Sequence, residues 1–368
     1  MNFRFSLNCA TMSEKVSVAL IGASGYTGSE LARLLANHAG AELKIATATG
    51  ERAGQKLSDL FPALRGVCDI VLQEPNLDEI ADKCQVAVIA LGHGKALEIA
   101  PLLLSRGVRV IDLGADFRLR DAEVYREWYH LEHSASELLS EVVYGLPEWN
   151  REQIKTAKLI ANPGCYPTSA ILALAPFIAK GAIKAHSIIV DSASGASGAG
   201  RASFGVGTHF PEYVGDFKAY NVGGHRHTPE IEQALNDVSP NPEDPEARAL
   251  ITFTAHLLPV ARGILSTCYA APMTTMTTEE AHQILTERYA NEPFVRVLPL
   301  GDYPQIKHVN GSNFCDVGTK VDARTGRLIV ISAEDNIIKG ASGQALQNLN
   351  IMFGLPETMG LQSAAVFP

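Results

Sequence analysis

The stretch Val16-Ser-Val-Ala-Leu-Ile-Gly22-Ala-Ser24-Gly25-Tyr26-Thr27-Gly28-Ser-Glu-Leu31-Ala-Arg-Leu34-Leu35-Ala36 decides the fold. An almost unbroken apolar run stops at a glycine, and Leu31, Leu34 and Leu35 then fall at helical spacing, so the segment reads as strand, turn, helix. Gly22, Gly25 and Gly28 make G-x-x-G-x-x-G, the dinucleotide fingerprint with its glycines respaced. Residues without a Cβ let the backbone approach a pyrophosphate, and the start of a helix offers unpaired N–H groups and partial positive charge. Gly22, Ser24, Gly25, Tyr26, Thr27 and Gly28 are therefore the first cofactor-binding candidates.

Working outward, Leu43 to Thr49, Val86 to Leu91 and Val108 to Leu113 are further apolar or β-branched runs with little alternation. Such runs predict strands covered on both faces, as in a parallel sheet flanked by helices. After about Leu159 the texture changes. An apolar helix is expected over Thr168 to Ile178, a strand over Ser187 to Asp191, and a glycine-dense loop over Ser194 to Gly200. Strand-like runs follow at Ile251 to Leu257, Gly263 to Ala270, Phe294 to Leu298 and Arg327 to Ser332, with a helix over Thr278 to Tyr289 and a last one from about Asn336 to Phe353. Strands that arrive in series imply a mixed or antiparallel sheet. The predicted fold class is α/β: a Rossmann-type dinucleotide-binding domain plus an α+β domain with a mixed sheet.

The 368 residues suit two domains, and 46% apolar with 19% charged residues excludes a disordered tail protein or a fibrous repeat. A formal charge of -9, with no Lys/Arg-rich run, argues against nucleic acid as a partner. No apolar stretch is long enough for a membrane span, and residues 1–13 make a poor export signal and read as an extension outside the fold. Six cysteines without a C-x-x-C pair predict reduced thiols, a cytoplasmic protein and no metal site.

At the end of the second strand, where an NAD site usually carries an acidic residue, stands Thr47-Ala-Thr49-Gly-Glu51-Arg52. Hydroxyls and a guanidinium suit a 2′-phosphate, so NADP is the expected cofactor, with Thr49 and Arg52 as contacts. His93, in Leu-Gly-His-Gly-Lys95, falls at the carboxyl end of a parallel strand, where ligands of such sheets bind.

The segment Ala161-Asn-Pro-Gly-Cys165-Tyr-Pro-Thr168 ends a predicted strand and begins the apolar helix. A thiol at a helix N-terminus feels the dipole and nearby N–H donors, which predicts a lowered pKa and a nucleophilic thiolate. Gly223-Gly-His225-Arg-His227-Thr-Pro-Glu230 brings two imidazoles on a glycine-led loop before a helix that Thr228 is expected to cap. In an extended loop both imidazoles point the same way, one to serve Cys165 and the other a substrate oxygen, with Glu230 orienting an imidazole. Which of the two is the general acid–base stays open, with His225 preferred and His227 in support. Ser192-Ala-Ser-Gly-Ala-Ser197-Gly-Ala-Gly-Arg201 has the composition of an anion-binding nest with a guanidinium clamp, so Ser197 and Arg201 are candidates for a phosphate leaving group. Arg118, in Asp116-Phe-Arg118, is a further anion contact.

Six motifs together, Gly22-Ala-Ser-Gly-Tyr-Thr-Gly28, Ala115-Asp-Phe-Arg118, Asn162-Pro-Gly-Cys-Tyr-Pro-Thr168, Ser197-Gly-Ala-Gly-Arg201, His225-Arg-His-Thr-Pro-Glu230 and Asp335-Asn-Ile-Ile-Lys-Gly-Ala341, carry a resemblance. From about Val16 to the C-terminus the chain resembles the N-acetyl-gamma-glutamyl-phosphate reductase family of arginine biosynthesis, relatives of aspartate-semialdehyde dehydrogenase. The resemblance implies an NADP-binding domain over 14–164 and 337–368, and a catalytic and dimerisation domain over 165–336. It also implies a homodimer or homotetramer acting on a small-molecule substrate. It aligns Cys165 with the family nucleophile, the His225/His227 loop with its acid–base region and Asn336 with a cofactor contact. The expected reaction is NADPH-dependent reduction of N-acetyl-gamma-glutamyl phosphate through a Cys165 thioester. The alternatives are a reductase of another acyl phosphate, or a non-catalytic NADP-binding paralogue.

Overall fold

The structure, a computed structural model, describes residues 14–201, 205–206, 209–241, 244 and 247–366. The extension expected over residues 1–13 lies outside the described residues.

Strands β1 (Val16–Ile21), β2 (Ala41–Thr47), β3 (Val86–Ile89), β4 (Arg109–Asp112), β5 (Val143–Tyr144) and β6 (Leu159–Ala161) form one six-stranded sheet in the order β2-β1-β3-β4-β6-β5. Every pairing in it is parallel. The apolar runs are continuous because both faces are covered. Val18, Leu20, Val86 and Val88 pack into one buried cluster, while Ala19, Ile21, Ala87 and Ile89 pack into another on the opposite side. The order reverses between β1 and β3, and in open α/β sheets ligands bind outside the carboxyl ends of strands at that switch point.

Strands β7 (Ile189–Ser194), β8 (Lys218–Tyr220), β9 (Thr252–Leu257), β10 (Ile264–Ala270), β11 (Val295–Val297), β12 (Cys315–Asp322) and β13 (Arg327–Glu334) form a seven-stranded mixed sheet, β11-β12-β13-β10-β7-β9-β8. The helix Cys165–Ala179, buried almost throughout, lies against this sheet and shares a core with Val190, Ile264, Cys268, Val317 and Val330. The expected pair of domains is therefore present. β12 went unread because Cys-Asp-Val-Gly-Thr-Lys-Val-Asp mixes charges and a glycine into a strand, yet β13 pairs along its whole length through the Asp322–Arg327 turn.

The last expected helix is interrupted. Asp335 to Ile337 turn sharply, one π turn spans Ile338–Ser342, and the helix proper covers Gly343–Met352. Ala345, Leu346 and Leu349 pack into the same cluster as β1 and β3, so the chain's last helix lies on the first sheet.

Candidate active site

The glycine turn closes on itself for steric reasons. Gly22 has φ +93°, and a Cβ there would stand 2.5 Å from the Ala90 carbonyl oxygen; a Cβ on Gly28 would stand 2.5 Å from the Gly22 oxygen. The Gly25 position is open, with its nearest atom 3.8 Å from where a Cβ would lie. Gly25 caps the helix Tyr26–Ala36, whose first-turn N–H groups lack intrahelical partners. Arg52 Nη1 donates to Ser24 Oγ at 3.1 Å and Arg201 Nη1 to the Ser24 carbonyl at 3.2 Å, while the Arg201 guanidinium lies 4.8 Å over the Phe61 ring. Thr49 precedes the single turn Gly50–Arg52 that presents Arg52. Beside the turn opens a cavity of about 1110 Å³ lined by Tyr26, Ser197, Arg201, Tyr213, Arg262 and Ile337. An open glycine at a helix N-terminus, two guanidiniums and a cleft of this size fit a phosphorylated dinucleotide.

Arg201, expected at the leaving phosphate, reaches the glycine turn. Asn336, expected at the cofactor, is bound by protein at both ends of its amide. Its Oδ1 accepts from the Gly263 N–H at 2.8 Å and its Nδ2 donates to Ser197 Oγ at 3.0 Å, so it braces Ser197 at the cavity wall. His93 lies in the loop after β3, its ring edge-on to Tyr129 at 5.2 Å.

Cys165 is the first residue of the helix Cys165–Ala179, three residues earlier than expected, with Gly164 as cap. The glycine is closely packed there: a Cβ on Gly164 would come within 2.7 Å of His227 Nε2 and 2.8 Å of Arg118 Nη1, and would displace one of them. The turn before the thiol is thus packed against an imidazole and a guanidinium. The expected lowering of the Cys165 pKa is reversed. Burial pushes the thiol up to about 12, with the nearby Glu334 carboxyl adding to the rise, and both outweigh the helix N-terminus and Arg118.

The two imidazoles do meet, with ring centroids 4.9 Å apart, although His227 is helical rather than extended and itself occupies the cap position expected for Thr228. His225 is enclosed by Tyr166, Tyr220 and Phe253, and its Nδ1 accepts the His227 backbone N–H at 3.1 Å, which assigns the ring proton to Nε2. Burial lowers the His225 pKa to about 4 and pushes His227 well below its ordinary value, so both rings are neutral at pH 7. His227 Nδ1 is buried without a partner.

Glu230 does not orient an imidazole. It is fully buried, accepting from the Gly164 N–H at 2.8 Å, from Tyr144 OH at 2.8 Å and from Arg118 Nη1 at 3.3 Å. Arg118 also donates to the Asn162 and Leu113 carbonyls at 2.8 and 3.0 Å, and its Nη1 lies 3.5 Å from His227 Nε2. These bonds make Arg118, expected as an anion contact, a brace for the turn that presents Cys165. Sequence reasoning missed Glu334, fully buried at the end of β13 beside Cys165, and the buried Lys339–Glu148 pair at 2.6 Å. The one available signal was a charged residue ending an otherwise apolar run. Among the described residues no group of three or more His, Cys, Asp or Glu could hold a metal ion, and no helix is long and apolar enough to cross a membrane.

A parallel sheet with a dinucleotide turn, joined to a mixed-sheet domain, is the architecture of a dinucleotide-dependent oxidoreductase. Residues 17–157 match the model of the semialdehyde dehydrogenase NAD binding domain and residues 165–336 that of the semialdehyde dehydrogenase dimerisation domain. The chain is 53% identical to N-acetyl-gamma-glutamyl-phosphate reductase of Pelotomaculum thermopropionicum, covering 96% of this chain and 99% of that one. It is 51% identical to the enzyme of the same name from Geobacter sulfurreducens, covering 96% and 100%. The chain belongs to the N-acetyl-gamma-glutamyl-phosphate reductase family, whose members are NADP-dependent oxidoreductases. Its fold is shared with aspartate semialdehyde dehydrogenase II of Vibrio cholerae (TM-score 0.70, 18% identity, covering 93% of this chain and 99% of that one). It is shared equally with the aspartate semialdehyde dehydrogenase of Candida albicans solved with NADP (TM-score 0.68, 18% identity, covering 92% and 99%).

Proposed function

We propose that the chain reduces N-acetyl-gamma-glutamyl phosphate to N-acetyl-glutamate 5-semialdehyde and phosphate, a step of arginine biosynthesis, with NADPH as reductant. The observation that carries this is Cys165 at the first position of a helix, its preceding glycine packed against His227 and Arg118, in a chain about half identical to the reductases over nearly its whole length. Cys165 Sγ displaces phosphate from the acyl carbon, the thiol proton leaving with the phosphate, and a thioester remains on the enzyme. The His225 Nε2–H, freed for donation by the bond at Nδ1, holds the acyl oxygen as charge gathers on it. The Gly22–Gly28 turn, with Arg52 and Arg201 beside it, would hold NADPH, which when bound would supply the hydride. When the thiohemiacetal collapses, Cys165 is regenerated and the aldehyde leaves. Tyr166 and Tyr220, their hydroxyls 2.9 Å apart, fix the His225 ring.

The NADP-binding unit comprises 14–164 and 337–368 and the catalytic and dimerisation unit 165–336; the protein works in the cytoplasm as a homodimer or homotetramer. Support for assembly comes from the match to a dimerisation domain and from Val206, Phe210, Val214, Phe217 and Val222, all largely exposed on the second domain.

The test is the reverse reaction. N-acetyl-glutamate 5-semialdehyde, phosphate and NADP+ should yield NADPH with the wild-type chain and none with Cys165→Ser, which should still bind NADPH. A folded wild-type chain that is silent here but turns over aspartate semialdehyde points to another acyl phosphate. Silence with both substrates leaves the non-catalytic reading.

A further inference from the structure

Between the two imidazoles of the His225–His227 loop stands a cation that the mechanism leaves unused. Both rings lie edge-on to Tyr166, at 5.5 and 5.9 Å, at the start of the Cys165 helix. Arg226 departs the other way. Its guanidinium lies 5.5 Å over the ring of Tyr129, on the first domain, and its carbonyl accepts the Tyr129 hydroxyl at 3.4 Å. Arg226 is exposed, and among the described residues its guanidinium pairs with no carboxylate. A guanidinium left unpaired beside a reaction centre offers its forked donors to a ligand.

Its surroundings are fixed. Tyr129 is buried and stacks on Tyr125 at 4.9 Å, and the Tyr125 hydroxyl donates to Asp116 at 2.8 Å. Asp116, fully buried, also accepts from the N–H groups of Gly94 and Ala96, at 2.7 and 2.9 Å, and so pins the loop that carries His93. The His93 ring stands edge-on to Tyr129 at 5.2 Å. The charges that face His93 are Arg226, Arg118 and Asp116; those that face His227 are Arg118 and Arg226, beside the rings of His225 and His93. The carboxylates among them are taken, Asp116 by the donors just named and Glu230 by Gly164, Tyr144 and Arg118. Arg118 is engaged in turn. Arg226 is thus the uncommitted charge of the group, placed where the two domains meet.

We propose that Arg226 binds the α-carboxylate of the substrate, with the His93 ring beside it. The inference rests on the reductase reading above and adds to it the residue that tells a glutamyl chain from an aldehyde lacking that carboxylate. Position decides between the substrate's two anionic groups. The phosphate is bonded to the carbon that meets Cys165, so its oxygens must lie next to the sulfur. The α-carboxylate stands at the far end of the chain, beyond the methylene carbons. His227 Nε2 is what packs against Gly164, whereas the Arg226 side chain runs away from that turn to Tyr129, and so faces the far end. The Tyr129 ring holds the guanidinium in place before substrate arrives, so less side-chain entropy is lost on binding.

The test compares N-acetyl-glutamate 5-semialdehyde with 4-acetamidobutanal, the same aldehyde without its carboxylate, in the reverse reaction with phosphate and NADP+. Wild type should favour the carboxylated aldehyde about 100-fold in kcat/KM, as expected for losing a charge-assisted pair. Arg226→Met should shrink that preference to about threefold or less, with the KM of phosphate and of NADP+ unchanged. Arg226→Lys, which keeps the charge but not the fork, should retain about a tenth of the preference. Equal losses on both aldehydes would leave the ratio intact, reduce Arg226 to a brace on Tyr129 and overturn the proposal, as would a rise in the phosphate KM instead. Should Arg226→Met not fold, Arg226→Lys decides, since an undiminished preference there overturns the assignment equally.

A second measurement needs no turnover. N-acetyl-glutamate should protect Cys165 from iodoacetamide in wild type at concentrations where 4-acetamidobutyrate does not, and Arg226→Met should abolish the difference. If that difference holds in a chain that reduces no acyl phosphate, the functional reading fails and the carboxylate site stands; an active enzyme without it gives the reverse.

Discussion

Cys165, His225 and Glu230 show how burial changes what a residue type does. Their spacing in sequence is that of a thiolate with acid–base partners, but the interior makes the thiol a weaker acid and the imidazoles weaker bases. Glu230, read as an imidazole's partner, ties Gly164, Tyr144 and Arg118 together instead. The neutral His225 makes stability depend on pH. Its folded pKa of about 4 lies below the 6.5 of an unfolded histidine, so the unfolded chain binds the proton more readily. The contribution is complete above pH 6.5 and is lost as pH falls through 4, amounting to about 2 kcal/mol between pH 7 and 5. Thermal melts of wild type and His225→Gln across that range should show the variant's midpoint falling less steeply; parallel curves would contradict the neutral ring.

Single elements carry the contacts that place the glycine turn and Cys165. The helix Tyr26–Ala36 can start directly after β1 only because Gly28 packs on the Gly22 carbonyl and the Ala23 Cα, at 2.5 and 2.8 Å from a notional Cβ. Both obstacles are backbone and cannot swing aside. Gly28→Ala should therefore push the helix N-terminus off the phosphate site, costing about 1–3 kcal/mol and weakening NADPH binding about tenfold or more. Fluorescence titration with NADPH measures this, and binding within twofold of wild type would mean that the helix start does not hold the cofactor. The glycine pattern was legible in sequence because its cause is local. The π turn at Ile338–Ser342 was not, since it exists to bring Gly340 against Cys165, a contact across 175 positions of chain.

Across the whole molecule, charges stand where apolar residues would be expected. Arg262 bridges Glu30 of the first helix, at 2.6 Å, and Asp335 after β13, at 3.5 Å. Lys339 and Glu148, both fully buried, pair at 2.6 Å between the π turn and the helix Pro147–Thr156. Removing one partner of such a pair strands a charge, whereas removing both need not. Lys339→Met should lower stability by about 3–5 kcal/mol, and adding Glu148→Leu should restore most of it. Denaturant midpoints of the two singles and the double test this; additive losses would show that the residues are not coupled.

The sequence by itself determined the parallel sheet, most strands of the mixed one, the glycine turn and the helix after Cys165, because each follows from short-range rules of periodicity and turn geometry. Tertiary structure decided which charges those residues carry and which partners they keep. It used Arg118 and Glu230 to brace the turn at Gly164, brought Arg201 to the glycine turn and set Glu334 beside Cys165. Proton affinity and hydrogen-bond partnership depend on the dielectric and on neighbours brought together from distant positions, and neither is encoded in the local spacing of residues.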